Sequence, residues 1–263
     1  MAAFEHIKVG RHAKLKSVAS ISINRPEVGN AMSDQTLKEL AGAFRAVSAD
    51  KELRAVVVKG EGKHFCAGAD IEWMRRAGKL KPAEGRKDAT LLAEMGRAIQ
   101  ECPVPVVAQV HGACYGGGLG VVAAADIAVA AEDARMCFSE CRLGILPAVI
   151  SLFVLPKIGE AAARRWYLTS EVFSMAQARE LGLIHEIAAP AQLELAVEAI
   201  LDHIGRNGPS AVRAAKKLLG EFSQAKDRQK IVLDALLKQR SSPEGQEGLS
   251  AFLEKRPASW IKQ

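Results

Sequence analysis

Apolar and polar positions change period several times along the chain, and each change marks an element. Val18 to Asn24 alternates with the period of two that a strand requires, and the run stops at Arg25–Pro26. Leu37, Leu40, Phe44 and Val47 recur at helical spacing behind Ser33, a good helix cap, and Asp34, which suits the positive end of the helix dipole. This predicts an amphipathic helix over 34–49. Arg54 to Lys59 reads as a strand and Gly60 to Lys63 as a loop, and His64 to Asp70 leads into a short helix near 71–77. The polar, proline-containing stretch 78–86 reads as a mobile connection, followed by a helix over 90–102 on Leu91, Met95 and Ile99. Val104 to Val110 is a mainly apolar, β-branched run, as in a strand buried on both faces. Short strands are expected at 127–130 and 135–138. From Glu160 onward helical spacing dominates, over 161–168, 176–181, 190–207, 210–222 and 229–239.

This order, strand, strand, helix, loosely repeated, implies an α/β architecture of successive layers and not a plain doubly wound sheet. No sequence period underlies it. A division follows, with a core over 1–190 and a helical region over 191–263. The stripes of that region (Leu193, Val197, Ile200 and Ile204; Leu233, Leu236 and Leu237) need a partner surface, either the core or another subunit.

Composition narrows the class only a little. The 263 residues are 49% hydrophobic and 25% charged, ordinary for a water-soluble domain. The net charge of +6 gives a modest bias toward anionic ligands. Its lysines and arginines are scattered, so nucleic-acid binding is not expected. Apolar runs fall short of the ~20 residues that cross a bilayer. The opening MAAFEHIKVG lacks an apolar signal core, and the expected location is cytoplasmic. Five cysteines (Cys66, Cys102, Cys114, Cys137, Cys141) form no C-x-x-C pair, and they read as buried thiols with neither disulfide nor metal site.

The chemistry concentrates in 104–126, VPVVAQVHGACYGGGLGVVAAAD. Gly116, Gly117 and Gly118 lie between the buried strand and an alanine-rich segment suited to a buried helix. Glycines here let another group approach bare N–H groups that have no helical partner and sit at the positive end of the dipole. Such a junction attracts a phosphate or a developing oxyanion. Tight helix packing would call for the same glycines. The spacing matches neither the dinucleotide fingerprint G-x-G-x-x-G nor a phosphate loop, since no G-K-[S/T] follows. His111 ends the buried strand, where a structural role is expected, and no Ser or Cys stands ready to form a triad.

Read together, several stretches resemble the enoyl-CoA hydratase/isomerase (crotonase) family. They are Arg25–Pro26 with Asn30-Ala31-Met32; Phe65-Cys66-Ala67-Gly68-Ala69-Asp70-Ile71; His111–Gly112 with the three glycines; Asp126–Ile127; Ser139–Glu140 with Leu143-Gly144-Ile145-Leu146-Pro147; Ala178 to Ile184; and GLSAFLEKR from Gly248 to Arg256. The resemblance spans nearly the whole chain. It implies a spiral of strand-strand-helix units with a helical C-terminal trimerisation region, assembled as a homotrimer or a dimer of trimers. It also implies acyl-CoA thioester substrates, with coenzyme A part of the substrate and no separate cofactor.

By the same resemblance, the amides of Ala69 and Gly117 would hold the thioester oxygen as it becomes an enolate-like oxyanion. Hydratases of the family usually carry two glutamates. Here one of those positions is Gly120 and the other, twenty residues on, is Glu140. Adding water to a double bond suits a carboxylate pair, whereas moving a double bond from the 3 to the 2 position needs one base. Single-glutamate members acting on branched or carboxylated enoyl-CoA esters keep hydratase chemistry open, and Leu146 to Ile150 looks like theirs. The expected first activity is therefore a hydratase-like lyase. The alternatives are a 3-to-2 isomerase and a non-catalytic RNA-binding or scaffold member. The CoA handle would be bound along Cys66, Ala67, Gly68, Ala69, Asp70 and Ile71, beside Gly116 and Gly117, with Phe252 and Lys255 reaching it from a neighbouring subunit. Asp70, Glu72 and Asp133 are expected to be caps or surface charges.

Overall fold

The computed structural model describes residues 4–261. Its elements, in order, are β1 (Ile7–Arg11), β2 (Val18–Ile23), α1 (Asp34–Ser48), β3 (Ala55–Gly60), α2 (Ile71–Ala77), α3 (Pro82–Gln100), β4 (Val106–Val110), β5 (Ala113–Tyr115), α4 (Gly117–Ala124), β6 (Ile127–Ala131), β7 (Arg135–Cys137), α5 (Ser151–Thr169), β8 (Phe173–Ser174), α6 (Met175–Glu180), β9 (Glu186–Ala188) and the helices α7 (Leu193–Arg206), α8 (Pro209–Phe222), α9 (Arg228–Arg240) and α10 (Pro243–Leu253). Six strands form one sheet in the order β1-β2-β3-β4-β6-β9, antiparallel only between β1 and β2. A second sheet runs β5-β7-β8. Each pass of the chain thus adds a strand to the large sheet, then one to the small sheet or a helix.

The inner strands are apolar on both faces because both are covered. Val56, Val58, Val106, Val107, Ala108, Val110 and Val129 are all buried. Helix α1 starts as expected: the Ser33 side chain accepts from the Thr36 amide at 3.2 Å, and Thr36 answers at the Ser33 amide. Its buried Leu37, Leu40 and Phe44 join the core.

Three expectations need correction. Stretch 78–86 is no loose connection, because α3 already begins at Pro82. Proline occupies the first helical turn, where its missing N–H costs nothing, and Glu84 reaches back to the Lys81 amide at 3.2 Å. Helix α5 starts ten residues earlier than expected, at Ser151. Pro156 sits within it and Gly159 breaks its geometry at φ 72°, which hid the first half from the helical pattern. Cys141 is exposed in the turn Glu140–Leu143, while the other four cysteines are buried and all five are free.

The helical region divides by what it covers. Leu193, Val197, Leu201 and Ile204 of α7 are buried against the chain's own sheet, so that stripe has its partner within the chain. Leu233, Leu236 and Leu237 of α9 remain exposed, as do Leu219, Phe222, Leu249, Phe252 and Leu253. Among the described residues no helix is long and apolar enough to cross a membrane.

Candidate active site

Each of the three glycines has its own cause. Gly116 has φ 49° and ψ −114°, a backbone open to residues without a side chain, and its amide donates to the Cys137 carbonyl at 3.1 Å. A Cβ on Gly118 would stand 2.8 Å from Cβ of Cys66, so the start of α4 presses directly on the 64–70 segment. A Cβ on Gly117 would meet only the Met32 sulfur, at 3.1 Å. Packing explains Gly118 and conformation explains Gly116. Gly117 opens α4, and its N–H donates to no acceptor among the described residues.

The second segment is held from both sides. Cys66 is fully buried; its amide donates to the Ala113 carbonyl at 3.0 Å, and its carbonyl accepts from Tyr115 at 2.9 Å. On the opposite edge, Ala67 donates to the Gly29 carbonyl, Met32 to the Gly68 carbonyl and Asp70 to the Met32 carbonyl. Met32 is therefore bridged to the residues flanking Ala69. In such a parallel bridge the Ala69 N–H faces away from Met32. It too has no acceptor among the described residues. Gly68, at φ 116°, makes the bend.

The loop before α1 is the outer brace. Arg25 bonds the Ala31 carbonyl at 2.5 Å and the Asp70 carboxylate at 2.9 Å, an ion pair nearly out of water. Asp70 also accepts from the amides of Glu72 and Trp73, capping α2. Burial alone would raise its carboxyl; the Trp73 amide and Arg25 outweigh that and hold it below the usual carboxylate range. Asn30, buried at φ 59°, spends its side chain on the Arg25 amide and the carbonyls of Glu61 and His64.

Glu140 comes to the same place from a third segment. A Cβ on Gly116 would lie 3.5 Å from its Oε1 and 3.8 Å from Cα of Gly68, so Glu140, Gly116 and Gly68 converge on one spot. The other oxygen, Oε2, is buried and has no hydrogen-bond partner among the described residues. Burial raises the carboxyl above its ordinary 4.5, with the residue's own amide opposing. A lone carboxylate with a raised pKa, set against Gly116 and Gly68, can exchange protons with a molecule bound there.

Gly120 faces Ile150. A Cβ there would come within 2.8 Å of Ile150 Cγ2 and 3.5 Å of its Cβ. Introducing Glu at position 120 is expected to cost about 1–3 kcal/mol by overpacking. Thermal unfolding of Gly120→Glu should show a lowered midpoint, and an unchanged midpoint would mean that Ile150 yields freely.

Other sequence candidates fall outside this cluster. His111 hydrogen-bonds the Gly62 carbonyl at 2.9 Å, as a structural residue should. Glu72 pairs with Arg75 on the surface. Ile71, Phe252 and Lys255 are exposed, and Ala67 is exposed at the edge of the cluster. A cavity of about 770 Å³ is lined by His64, His111, Tyr115, Asp133 and Arg135 among others, and Glu140 is not on its wall. Two residues near Glu140 carried no sequence signal: Ser151 and Tyr167, both on α5, whose first half the helical pattern did not reveal.

Residues 13–263 match the family model described as enoyl-CoA hydratase/isomerase. The chain is 33% identical over 265 residues to a crotonyl-CoA hydratase of Syntrophomonas wolfei, covering 99% of this chain and all of that one. It is 31% identical over 231 residues to a peroxisomal Delta(3,5)-Delta(2,4)-dienoyl-CoA isomerase of Arabidopsis thaliana, covering 83% of each. Among solved structures, an enoyl-CoA hydratase from Shewanella pealeana superposes with a TM-score of 0.91 at 33% identity, covering 98% of this chain and 96% of that one.

Proposed function

The chain belongs to the enoyl-CoA hydratase/isomerase family, and on that premise we propose that it adds water to a 2-enoyl-CoA thioester, with a branched or carboxylated acyl group within its range. The amides of Ala69 and Gly117 hold the thioester oxygen. Glu140 takes a proton from water as the oxygen of that water bonds the β carbon. The double-bond electrons move onto the thioester oxygen as an enolate. Glu140 then returns the proton to the α carbon, and the carboxylate is regenerated. The reading rests above all on Glu140, half-buried, with its carboxyl unpaired at the enclosed Oε2 and set against Gly116 and Gly68. Electrostatic stabilisation by two fixed N–H groups is the largest single contribution expected, because they need no reorganisation as charge develops. The pantetheine and nucleotide run along Ala67 to Ile71. Phe252 and Lys255 act from a neighbouring copy of the chain in a trimer or dimer of trimers, where Lys255 offers phosphate a point charge. The proposed setting is the cytoplasm, and no cofactor beyond the substrate's own CoA enters the scheme.

One observation favours a second reading. Ile150 fills the space beside Gly120, so the site has a single carboxylate, which is all that shifting a double bond from the 3 to the 2 position requires. Crotonyl-CoA, 3-methylglutaconyl-CoA and a 3-enoyl-CoA separate the two. Loss of the conjugated-thioester absorbance from either of the first two is the expected result. A gain from the third alone would transfer the assignment to isomerisation.

A further inference from the structure

The neighbourhood of Glu140 contains a polar pair that the scheme above leaves idle. The Ser151 hydroxyl lies 2.5 Å from the Pro147 carbonyl and 3.2 Å from the Tyr167 hydroxyl. A carbonyl only accepts, so the single Ser151 proton is committed to Pro147. Tyr167 must then donate to Ser151, which turns the phenol's lone pairs away from that bond. Tyr167 is fixed on its other side by Phe138, two residues before Glu140, with ring centroids 4.6 Å apart. The turn Glu140–Leu143 packs against α5, the helix that carries Tyr167. Burial raises the Tyr167 phenol, the Ser151 bond opposes, and the negative charge of Glu140 adds to the rise.

A water molecule that is to attack carbon needs two acceptors for its hydrogens, so that a lone pair points at the substrate. Glu140 Oε2 is one acceptor without a partner. The position from which a second carboxylate could come is closed by Ile150, the residue immediately before Ser151.

We propose that Tyr167, oriented by Ser151, is the second acceptor: a positioning residue that holds the attacking water against Glu140 Oε2. The proposal rests on the hydratase reading above and names the group that takes the place of a second carboxylate. One water hydrogen faces Glu140 and is the proton transferred; the other stays on the oxygen, bonded to Tyr167, and becomes the hydroxyl of the product. Tyr167 itself neither gains nor loses a proton.

The test is Tyr167→Phe, which keeps the ring packed on Phe138, with Ser151→Ala as its companion. Ser151→Ala lets the Tyr167 proton rotate out of the Ser151 bond and compete with the water. For Tyr167→Phe, kcat for crotonyl-CoA hydration should fall by about tenfold or more, with the affinity for unreactive butyryl-CoA unchanged and the thermal midpoint lowered by no more than the loss of the single bond to Ser151. Ser151→Ala should lose a smaller share of kcat. Unchanged hydration in Tyr167→Phe would overturn the proposal, and so would butyryl-CoA affinity falling in step with kcat, the mark of a merely structural role. Wild-type protein that hydrates none of the enoyl esters would sink the hydratase reading itself and this inference with it.

Discussion

Glu140→Gln should lower kcat for the enoyl-CoA reaction by about 100- to 10,000-fold, the range that general acid–base catalysis supplies. Binding of the CoA ester should persist, because a glutamine preserves the shape and the two amides are untouched. The same variant should change the pH dependence of stability. Burial raises the Glu140 carboxyl in the folded state above its ordinary 4.5. The unfolded chain therefore releases this proton first as pH rises. The group's contribution to stability is complete below the unfolded value and is lost as pH climbs through the folded one. Glutamine has no such proton, so the difference in melting temperature between variant and wild type should shift toward the variant over that window. In the wild type, kcat/KM should fall on the acid side with an apparent pKa above 4.5. Full turnover by Glu140→Gln would remove the carboxylate from the mechanism.

A comparably large loss should follow from Gly117→Pro. Gly117 is the first residue of α4, the helical position at which proline is best tolerated. The substitution removes the N–H and puts the ring Cδ where its hydrogen pointed. Removing one such donor typically costs about 100- to 1,000-fold in kcat. Gly117→Ala is the matched control. It retains the N–H and adds a Cβ that meets only the Met32 sulfur, at 3.1 Å, a flexible neighbour able to move by a few tenths of an ångström. Proline and alanine variants with equal kcat would show that this amide does not carry the developing charge, whereas a wide gap between them isolates it. Circular dichroism of both variants checks that the helix has survived.

Much of this could be read before any coordinates, for identifiable reasons. Helix α1 was legible because Ser33, Asp34 and the Leu37, Leu40, Phe44 stripe all agree. The glycine junction was visible as a place of special backbone, but not as three separate causes. That Gly118 presses on Cys66 and Gly117 on Met32 is a matter of long-range approach, which local pattern does not encode. The Arg25, Asn30 and Asp70 brace had the same character: each residue stood in a recognisable stretch, while the bonds linking them span up to 45 positions. Tyr167 and Ser151 could not be singled out at all. Both are ordinary helix residues by composition, and only the bend at Gly159 and the packing of Phe138 give them their location.

The contact between Gly120 and Ile150 bears on how this lineage can drift. A descendant that acquired an acid at position 120 alone would inherit a crowded interior and no useful second proton carrier. One that first shortened residue 150 would inherit a void. Neither step is expected to help without the other, so Gly120→Glu and Ile150→Ala should combine non-additively in a double-mutant cycle.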